Sequence, residues 1–467
     1  MINTQLHYSS FIEQLYKNSG HEIQSFLLSI YGFKKKLDFY SLNNQTALRI
    51  LQRNDLHSKD LKDKFHFLFL RKLLNHVYKT VPYYKELFVN ANIFPSDIKS
   101  LEDLNKIPIL TKEQVRKKGT ILKSSKFQTF SPKNYFTGGT TGKPLSFTID
   151  NRNLILRSAE KYRHWLRNGY NFGDKMVVLR GMVIDYNHYS KKPWRFDYFQ
   201  NTLYLSSYHM NSENLDSYIE LLSEFKPDFL QAYPSTIFIL ARYMNEKKIK
   251  LSIKTIFTGS ETLYAHYRYE IEKAFSCKVV DHYGHGEPGT WASGQCQCGN
   301  YILSEDLSIF EVVDKSGNEI RSGKGYLIET SLHNYSMPFI RYKTGDVVEI
   351  TESKCQCGIQ FKKVDKIIGR EGDNLKINDK EVSGSMLLNQ VLKKNKGIIE
   401  MQIKQVKDDE LFLSIVPSND YDSSVGKRLK EQIRKRIGQS INIEITEVQE
   451  IPTSPSGKKK YILNQIK

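Results

Sequence analysis

The sequence lacks several features that would point to particular protein classes. No apolar run in its 467 residues approaches the length of a membrane span. The N-terminus has no basic stretch followed by an apolar one, so no secretory signal is predicted and a cytoplasmic protein is expected. Internal repeats at solenoid period and low-complexity tracts are also missing. These absences exclude integral membrane, solenoid and low-complexity proteins.

What is present is the composition of a globular protein. Hydrophobic residues make up 39% of the chain and charged residues 26%, the usual proportions for such a protein. The 28 tyrosines and 25 phenylalanines supply ample material for a core. Because 467 residues exceed one typical domain, a large domain and at least one smaller domain are expected.

Positive charge is in excess, with a formal net charge of +18. An anionic ligand, an anionic membrane surface or nucleic acid would each fit such a charge. However, the lysines are scattered through every segment, and the short runs at 34–36 and 458–460 are typical of solvated faces. Charge alone therefore leaves peripheral membrane association open, and it says nothing about oligomeric state.

Apolar periodicity predicts an α/β protein with a helical beginning. Residues 1–120 read as mostly helical, and short apolar runs alternate with helical stretches over 130–350. This alternation predicts a largely parallel sheet, in which ligands collect at the carboxyl ends of strands. Gly259 and Gly284 follow two of the predicted strands. The strands are expected at 176–181, 229–233, 255–259 and 278–284, and the helices at 212–225 and 236–247.

The order of predicted helices and strands changes after residue 370. A helix at 383–394, strands at 399–406, 410–416 and 441–448, and a basic helix at 425–437 predict a compact α+β unit. We place the boundary at 368–370, which divides the chain into domains 1–368 and 369–467.

The richest motif packs three glycines, three threonines and a lysine into seven consecutive positions. Glycines expose backbone N–H groups, threonine hydroxyls can reach a metal ion, and the lysine adds positive charge, which together suit a polyphosphate. A Walker loop would open a helix, whereas Pro144 and the alternating residues 145–149 predict a strand. The alternative is an ordinary turn in a hairpin. The motif consists of Thr137, Gly138, Gly139, Thr140, Thr141, Gly142 and Lys143.

Further polar groups lie on predicted turns elsewhere in the chain. Each of these segments is by itself more often structural than functional. Their order along the chain carries more information than any one of them. The segments are 258–261, 281–287, 340–346, 369–373 and 452–458.

In this order the motifs resemble the adenylate-forming superfamily of acyl-CoA synthetases and peptide-synthetase adenylation domains. Within it, the sequence is similar to phenylacetate-CoA ligases and to capsular-polysaccharide biosynthesis ligases. The family's Thr-Ser-Gly-Thr-Thr-Gly-Lys-Pro loop resembles residues 137–144, its Tyr-Gly-x-x-Glu resembles 283–287, and its Tyr-Arg-Thr-Gly-Asp resembles 342–346. Its Gly-Arg hinge resembles 369–370, and its terminal Gly-Lys resembles 457–458.

The resemblance covers the chain from about Leu101 to Lys458 and implies both a fold and a reaction. The implied fold is α/β, with a large multi-layer N-terminal adenylate-forming domain and a small mobile α+β C-terminal domain. The implied enzyme activates a small-molecule carboxylate with ATP, forming an acyl-adenylate, and then transfers the acyl group. The nucleophilic acceptor would be CoA, or alternatively an amine in polysaccharide biosynthesis.

The resemblance also implies a role for each motif residue. The loop at 137–143 would grip the β- and γ-phosphates, and Glu287 with Thr140 or Thr141 would hold Mg²⁺, which prefers oxygen ligands. Lys458 would reach both the substrate carboxylate and the α-phosphate in the first step only. The other nucleotide contacts would come from Gly259, Ser260, Glu261, His282, Tyr283 and Gly284 around the adenine, Asp346 at the ribose, and Arg370 at the hinge.

The sequence departs from the family pattern in three places. The hinge usually reads Gly-Arg-x-Asp, but Gly372 holds the place of the acid and Asp373 follows it. Gly138 replaces the usual serine of the loop and removes one hydroxyl. Lys343 replaces an arginine and loses a bidentate donor.

In the family the region between the loop and the adenine turn shapes the carboxylate pocket. Aromatic side chains there could stack on a ring or a sugar, or could simply belong to the core. The candidate pocket residues are Tyr135, Gly181, Trp194 and Tyr233.

Four of the five cysteines form two copies of Cys-Gln-Cys-Gly, with the pairs Cys296/Cys298 and Cys355/Cys357. Two such pairs can complete a tetrahedral Cys₄ site for structural Zn²⁺. Reduced buried thiols and disulfides are the alternatives, and disulfides are rare in a cytoplasmic protein. Cys277 stands alone and is expected in the core.

Two other classes of function compete with the ligase. A basic, zinc-stabilised nucleic-acid-binding protein would explain the charge and the cysteine pairs, but not the ordered ATP motifs. A catalytically inactive scaffold protein with the same fold is the other alternative. The joint presence of Glu287, Asp346 and Lys458 argues against it.

Overall fold

The computed structural model describes residues 10–136, 145–181, 184, 192–210, 212–287, 293–353, 355–377, 380–392, 395, 397–418, 421–453 and 458–466. One group of predicted site residues lies outside these ranges, namely Thr137, Gly138, Gly139, Thr140, Thr141, Gly142 and Lys143.

Helices dominate the first part of the chain, as predicted, and then alternate with strands. The helices are α1 (Ser10–Asn18), α2 (His21–Tyr40), α3 (Leu42–Asn54), α4 (Lys59–Thr80), α5 (Pro82–Asn90), α6 (Lys112–Lys118), α7 (Asn151–Arg167), α8 (Ser212–Phe225), α9 (Pro234–Glu246), α10 (Ala265–Phe275), α11 (Gly384–Leu392) and α12 (Ser423–Ile437). Short 3₁₀ turns lie at Pro95–Asp97, Glu102–Lys106, Phe127–Phe130 and Glu371–Asp373.

The strands of the larger part are β1 (Lys133–Phe136), β2 (Ser146–Ile149), β3 (Met176–Arg180), β4 (Trp194–Asp197), β5 (Thr202–Ser206), β6 (Phe229–Ala232), β7 (Thr255–Gly259), β8 (Lys278–Tyr283), β9 (Ser293–Gln295), β10 (Tyr301–Leu303), β11 (Ser308–Val313), β12 (Gly323–Ser331), β13 (Tyr342–Ile350), β14 (Lys363–Val364) and β15 (Lys366–Arg370). Those that follow are β16 (Asn374–Ile377), β17 (Lys380–Ser383), β18 (Ile398–Lys407), β19 (Glu410–Pro417), β20 (Asn442–Glu447) and β21 (Ile462–Asn464).

The main sheet has the order β14-β10-β9-β8-β7-β6-β3-β5-β4 within the described residues. Its centre, from β5 to β8, is parallel, as the alternation of strands and helices predicts. Antiparallel strands flank this centre on both sides. Because β3, β7 and β8 run in the same direction, the segments that follow them meet at one edge of the sheet.

The strand predicted after the glycine-rich loop exists as β2. It pairs antiparallel with β1, and Phe136 lies opposite Ser146 at the loop end of the hairpin. The loop that resembles the phosphate grip therefore joins two paired strands, as Pro144 implies, rather than a strand and a helix.

A second sheet, β11-β12-β13-β15, leads to the predicted domain boundary. Strand β15 pairs with β13 and ends at Arg370, so the first part of the chain extends to this residue. Beyond it, β20-β19-β18-β21 form a mixed sheet with α11 and α12, the predicted α+β unit. The division into domains at 368–370 stays a prediction.

Helix α7 carries buried polar residues to the edge of the main sheet. It begins at Asn151, where the Asp150 side chain accepts a hydrogen bond from the Asn153 amide at 2.8 Å. Arg157 and Glu160 are buried on this helix. None of the helices within the described ranges is long and apolar enough to cross a membrane.

Candidate functional site

A cavity of about 230 Å³ lies between the ends of the main-sheet strands and the C-terminal segment. Residues from well-separated parts of the chain line it, and nine of them are residues that the motifs single out. These nine are Ser260, Glu261, His282, Tyr283, Gly284, Glu287, Asp346, Arg370 and Lys458.

The turn after β7 is held in a strained conformation. Ser260 has φ of 84°, a left-handed value that non-glycine residues rarely adopt. Its hydroxyl accepts a hydrogen bond from the Arg180 guanidinium at the end of β3. A Cβ on Gly259 would lie 2.7 Å from the His282 carbonyl oxygen, so this close approach of β7 and β8 requires glycine. Strain of this kind is concentrated at ligand-binding sites.

Glu261 connects the start of α9 to the C-terminal segment. Its carboxylate accepts hydrogen bonds from the backbone amides of Ser235, at 3.1 Å, and Lys459, at 3.2 Å. Burial raises the pKa of Glu261 above its usual value, and the hydrogen bonds from Ser235 oppose this shift. The residue therefore holds the C-terminal segment against the sheet edge.

Asp346 lies on β13 and is 4% exposed. The Tyr283 hydroxyl donates to Oδ2 at 2.6 Å, and Nε of Arg370 lies 3.4 Å from Oδ1. Gly345, with φ of 82°, shapes the strand just before the acid. Three predicted residues from separate motifs are thus in direct contact, with both carboxylate oxygens facing donors.

Glu287 is buried and has positive neighbours. Nζ of Lys112 lies 3.3 Å from Oε1, and Nδ1 of His285 lies 3.5 Å from Oε2. Burial raises the pKa of Glu287, but the hydrogen bond and charge of His285 outweigh it and hold the pKa well below the usual range. An ionised carboxylate facing the cavity fits a Mg²⁺ site, since this ion usually takes one or two carboxylates together with substrate phosphates.

Sequence reasoning missed His285 as a functional residue, although it lies inside the motif 283–287. Its second nitrogen forms an ion pair with Glu329 on β12, and the Ser308 hydroxyl donates to the same carboxylate at 2.6 Å. Burial lowers the pKa of His285, but the charge of Glu329 outweighs burial and raises it to about 10. His285 is therefore an imidazolium that fixes Glu287. The pairing with Glu329 connects two separate sheets, so it cannot be predicted from local sequence.

Lys112 was missed as well. Thr111 caps α6 by accepting a hydrogen bond from the Gln114 amide at 3.3 Å. The cap directs the first residue of the helix, Lys112, toward Glu287. The ion pair joins residues 175 positions apart and so cannot be predicted from local sequence.

Lys458 lies in the cavity rather than on a solvated face. The run 458–460 lines the cavity wall, so its interpretation as a solvated run is wrong. Burial, together with the charge of Arg180, lowers the pKa of Lys458 to about 8, and Glu261 opposes this effect. Lys459 pairs with Glu400 at 2.6 Å.

A smaller cavity of about 30 Å³ lies behind the strand ends. Arg157 and Arg180 line it together with Gln231, and Trp165 and Phe257 form apolar walls. Arg157 is 2% exposed; its Nε and Nη2 have no hydrogen-bond partner among the described residues, and Nη1 lies 3.5 Å from the Gly286 carbonyl oxygen. This cavity combines apolar walls with two guanidinium groups.

The four residues predicted for the carboxylate pocket lie in different parts of the structure. Gly181 directly follows Arg180, and the Tyr233 ring lies 4.9 Å from the Arg180 guanidinium. Tyr135 lies on β1, close enough to Arg157 for the two to interact electrostatically. Trp194 lies on edge strand β4 with its ring 4.3 Å from that of His21. None of the four predicted residues lines either of the two cavities.

Two of the three departures from the motif pattern can be located. Lys343 pairs with Glu371 at 2.8 Å and lies over the Tyr326 ring, so it does not replace an arginine in the cavity. Asp373 lines the cavity beside Arg370, one position later than the family's acid. Gly138 lies outside the described residues.

The two Cys-Gln-Cys-Gly segments meet at the edge of the main sheet. Sγ of Cys296 and Sγ of Cys355 are 3.5 Å apart, and the Cys357 sulfur lies within 4.8 Å of both. Cys298 is exposed, yet it interacts with Cys296 and Cys355. Sulfurs around one tetrahedral zinc lie about 3.8 Å apart, so this geometry fits the ion.

The two cysteine turns have the same backbone geometry. Gly299 and Gly358 each have φ of 83°, and each donates its amide to the carbonyl of the first cysteine of its segment. These left-handed positions require glycine. The remaining cysteine, Cys277, packs against the core, where burial raises its pKa to about 12.

Comparison with known proteins agrees with this geometry. Protein CapK of Staphylococcus aureus is 28% identical over 464 residues, which cover 98% of this chain and 100% of CapK. A phenylacetate-coenzyme A ligase of Thermus thermophilus is 23% identical over 436 residues, covering 85% of this chain and 94% of the ligase. The chain is a homologue of CapK and of phenylacetate-CoA ligases. Residues 375–465 match the family model of the CapK C-terminal domain.

Solved structures show the same architecture. A 2-hydroxyisobutyryl-CoA ligase in the postadenylation state has a TM-score of 0.71 and 18% identity, covering 88% of this chain and 91% of that one. The predicted adenylate-forming fold is thus confirmed. The prediction of an enzyme of the AMP-forming ligase class is confirmed by the ligase relatives, which match it over most of their length.

Proposed function

We propose that the protein is an ATP-dependent carboxylate-activating ligase. In the first step, a carboxylate oxygen of the acid attacks the α-phosphorus of ATP; the bond to pyrophosphate breaks and an acyl-adenylate forms. In the second step, a nucleophile attacks the acyl carbon, loses its proton, and releases AMP. The observation that carries the proposal is the convergence of nine motif residues on one cavity.

The nucleotide would lie along the cavity, between the strand ends and the C-terminal segment. Asp346 would accept hydrogen bonds from the two ribose hydroxyls, sharing its oxygens with Tyr283 and Arg370. The adenine would be framed by the turns after β7 and β8, which contribute Gly259, Ser260, Glu261, His282, Tyr283 and Gly284.

Pyrophosphate would be held by residues 137–143, as the resemblance of their sequence to the family's loop implies. A Mg²⁺ ion bound there would neutralise charge on the β- and γ-phosphates. Glu287 supports this role because it is ionised, and His285 fixes its position. The nearby ammonium of Lys112 would compete with the metal for Oε1 of Glu287.

Lys458 would stabilise the negative charge that develops as the carboxylate attacks. Its location in the cavity, close to Glu261 and Arg180, supports this assignment. Positioning of two anions and neutralisation of their charge would supply most of the rate enhancement.

CoA is the acceptor of the phenylacetate-CoA ligases that this chain resembles, and it is the leading acceptor here. A non-CoA acceptor, such as an amine in capsular polysaccharide biosynthesis, is the second candidate. The match of residues 375–465 to the CapK C-terminal domain favours it, because the C-terminal domain is the part that would rotate for transfer.

The smaller cavity supports a polar acid rather than phenylacetate. The side chain of a purely hydrocarbon acid would offer no acceptor to Nε and Nη2 of Arg157, which have none among the described residues, and burying such donors unpaired is costly. Arg180 and Gln231 add further donors to the same wall. We therefore favour acids that carry a hydroxyl or a second carboxylate, such as uronic acids, over aryl acids.

The experiment is ATP–pyrophosphate exchange with a panel of aryl, hydroxy and uronic acids. Exchange with at least one acid is expected, and exchange with none would refute the ligase assignment. If exchange is strongest with aryl acids and unchanged in Arg157→Leu, the ligase assignment stands but the polar-acid assignment fails.

The sulfur cluster supports a structural Zn²⁺ site with Cys296, Cys298, Cys355 and Cys357 as ligands. Four thiolates would close the coordination shell, so this ion would take no part in the reaction. It would instead tie the turn between β9 and β10 to the segment before β14. A nucleic-acid partner gains no support from this cluster, since a structural zinc site at a sheet edge is sufficient to explain it.

A further inference from the structure

Helix α2 exposes its apolar side. Six large side chains recur at alternating intervals of three and four residues, which places them on one face of the helix. Their exposed fractions range from 43% to 61%, although apolar faces of helices in globular proteins normally point inward. We name these residues the α2 stripe: Ile23, Phe26, Ile30, Phe33, Leu37 and Tyr40.

The opposite face of α2 packs on β4, and it is small or polar apart from the buried Leu28. Oε1 of Gln24 accepts from Nε of Arg195 at 2.6 Å, and Oγ of Ser29 accepts from the Tyr198 amide at 3.1 Å. A Cβ on Gly32 would collide with the Asp197 carboxylate. The orientation of the helix is therefore fixed by specific contacts, and these contacts turn the stripe outward.

The apolar surface extends beyond the helix itself. The Phe199 ring lies 4.9 Å from that of Phe33, and Tyr198 and Leu42 are also exposed. Thirteen of the twenty large hydrophobic side chains exposed in the described part of the chain belong to residues 15–68. Such concentration on one region is typical of an interaction surface rather than of scattered surface residues.

The positive charge near the α2 stripe indicates which kind of partner would bind it. Lys34 and Lys36, between Phe33 and Leu37 in the sequence, border the stripe, whereas Lys35 lies over the Tyr31 ring, so positive charge lies beside apolar surface. Pairing of two copies through α2 would bring together two chains that each carry +18, which is unfavourable. An anionic surface would instead gain from the same charge.

We propose that α2 docks the protein on the surface of an anionic lipid bilayer. The helix would lie in the plane of the interface, with the stripe at the boundary of the acyl chains and the lysines among the phosphate groups. Binding would be peripheral and independent of the acid-activating reaction.

The test is flotation of the full chain with vesicles. Vesicles of phosphatidylcholine alone are compared with vesicles that contain an equal part of phosphatidylglycerol. The protein is expected to float with the anionic vesicles and much less with the neutral ones, and added salt should weaken binding. The variant Phe26→Gln/Phe33→Gln should lose roughly tenfold or more of this partitioning. The matched control Phe94→Gln/Tyr269→Gln, which removes two exposed aromatic side chains elsewhere, should not.

A second pair of variants separates local from overall charge. Lys34→Glu/Lys36→Glu and Lys427→Glu/Lys435→Glu change the net charge equally, but only the first pair lies on α2. The first pair should release the protein from anionic vesicles and the second should retain most binding. Circular dichroism and pyrophosphate exchange should match the wild type in all variants, which excludes misfolding.

Equal flotation of the wild type and Phe26→Gln/Phe33→Gln would overturn the proposal. It would also be overturned if the wild type ignored vesicles and sedimented as a dimer that Phe26→Gln/Phe33→Gln converts to a monomer. The stripe would then be an interface between two copies of the chain.

Discussion

Burial sets the charge state of Lys458. Its pKa is lowered to about 8, chiefly by burial and then by Arg180, so the side chain is charged at neutral pH and loses its proton in mildly alkaline solution. A lysine on a solvated face would stay charged well above this range. The lowered pKa gives the proposed role a measurable pH dependence.

We expect kcat/KM for pyrophosphate exchange to fall as the pH rises through about 8, because this ratio reports the pKa of the free enzyme. Lys458→Arg should retain activity and lose the alkaline fall, since arginine stays protonated. Lys458→Ala should lower the exchange rate by about 10²–10³ at every pH. A wild-type profile that stays flat above neutrality, or an active Lys458→Ala variant, would refute the role of this residue.

The charge of His285 gives a second prediction for a single residue, here for the stability of the fold. Its pKa is raised from 6.5 to about 10, because Glu329 and then Glu287 outweigh burial. The ion cluster therefore stabilises the fold fully below pH 6.5, and this contribution is lost as the pH rises through about 10. His285→Gln removes the cation paired with buried Glu329 and one of the two cations beside buried Glu287, where Lys112 remains, which should cost about 3–5 kcal/mol.

The expected result is a lower midpoint of denaturant unfolding for His285→Gln at neutral pH, with the difference from wild type narrowing above pH about 10. His333→Gln is the matched control: burial lowers the pKa of His333 to about 4, so this buried imidazole is already neutral. Its effect on stability should not change over the same alkaline range. A constant His285→Gln effect across that range would contradict the imidazolium assignment.

At the scale of elements, the two cysteine turns are brought together by strands β10 and β14, which pair antiparallel. We expect metal analysis to find about one zinc per chain. Cys355→Ser should abolish stoichiometric zinc and lower the thermal midpoint, because a structural metal contributes to folding. Cys277→Ser, at a cysteine that packs against the core and is not part of the sulfur cluster, should retain the metal. A stable wild-type protein without zinc would exclude the site.

The close approach of β7 and β8 gives another prediction at this scale. Gly259→Ala would place a Cβ 2.7 Å from the His282 carbonyl, so the strands must separate at a cost of about 1–3 kcal/mol. We expect a raised KM for ATP in pyrophosphate exchange. Gly20→Ala is the control, because nothing lies within 4 Å of its added Cβ. Unchanged ATP kinetics in Gly259→Ala would contradict the placement of the nucleotide at this turn.

The central strands could be predicted from the sequence because each is a continuous apolar run ended by a turn. Strand β7 was expected at 255–259 and has these bounds, and α8 matches its predicted range as well. The exposed face of α2 could not be predicted in this way. Its apolar period ordinarily indicates burial, and only the contacts of Gln24 and Ser29 with β4 reverse it.

The candidate site shows the same division between local and long-range information. Motif order singled out nine of the residues that line the larger cavity. The ion pair of His285 with Glu329 and the buried Arg157 depend on contacts between distant segments, which no local pattern records.

At the scale of the whole molecule, the cavity is complete only when the C-terminal segment lies against the main sheet. Glu261 accepts from the Lys459 amide, and this contact keeps Lys458 at the cavity. Under the proposed function the C-terminal part rotates after adenylation, so Lys458 should matter for one half-reaction only.

We therefore expect Lys458→Ala to slow formation of the acyl-adenylate but to transfer acyl groups at a near wild-type rate when supplied with preformed acyl-adenylate. Single-turnover measurement of AMP release isolates the second step. Lys430→Ala, on α12 outside the cavity, should leave both steps unchanged. Equal slowing of both steps by Lys458→Ala would show that the residue does not leave the site between them.

The central claim is that the chain activates a carboxylate as its adenylate. The most direct measurement follows a heavy oxygen isotope from the carboxylate of the accepted acid through one complete turnover with ATP. Because the attacking carboxylate oxygen becomes bonded to the α-phosphorus and stays there when the acyl group leaves, the account predicts labelled AMP and unlabelled pyrophosphate. Label in inorganic phosphate together with ADP, or AMP formation that does not depend on the acid, would contradict it.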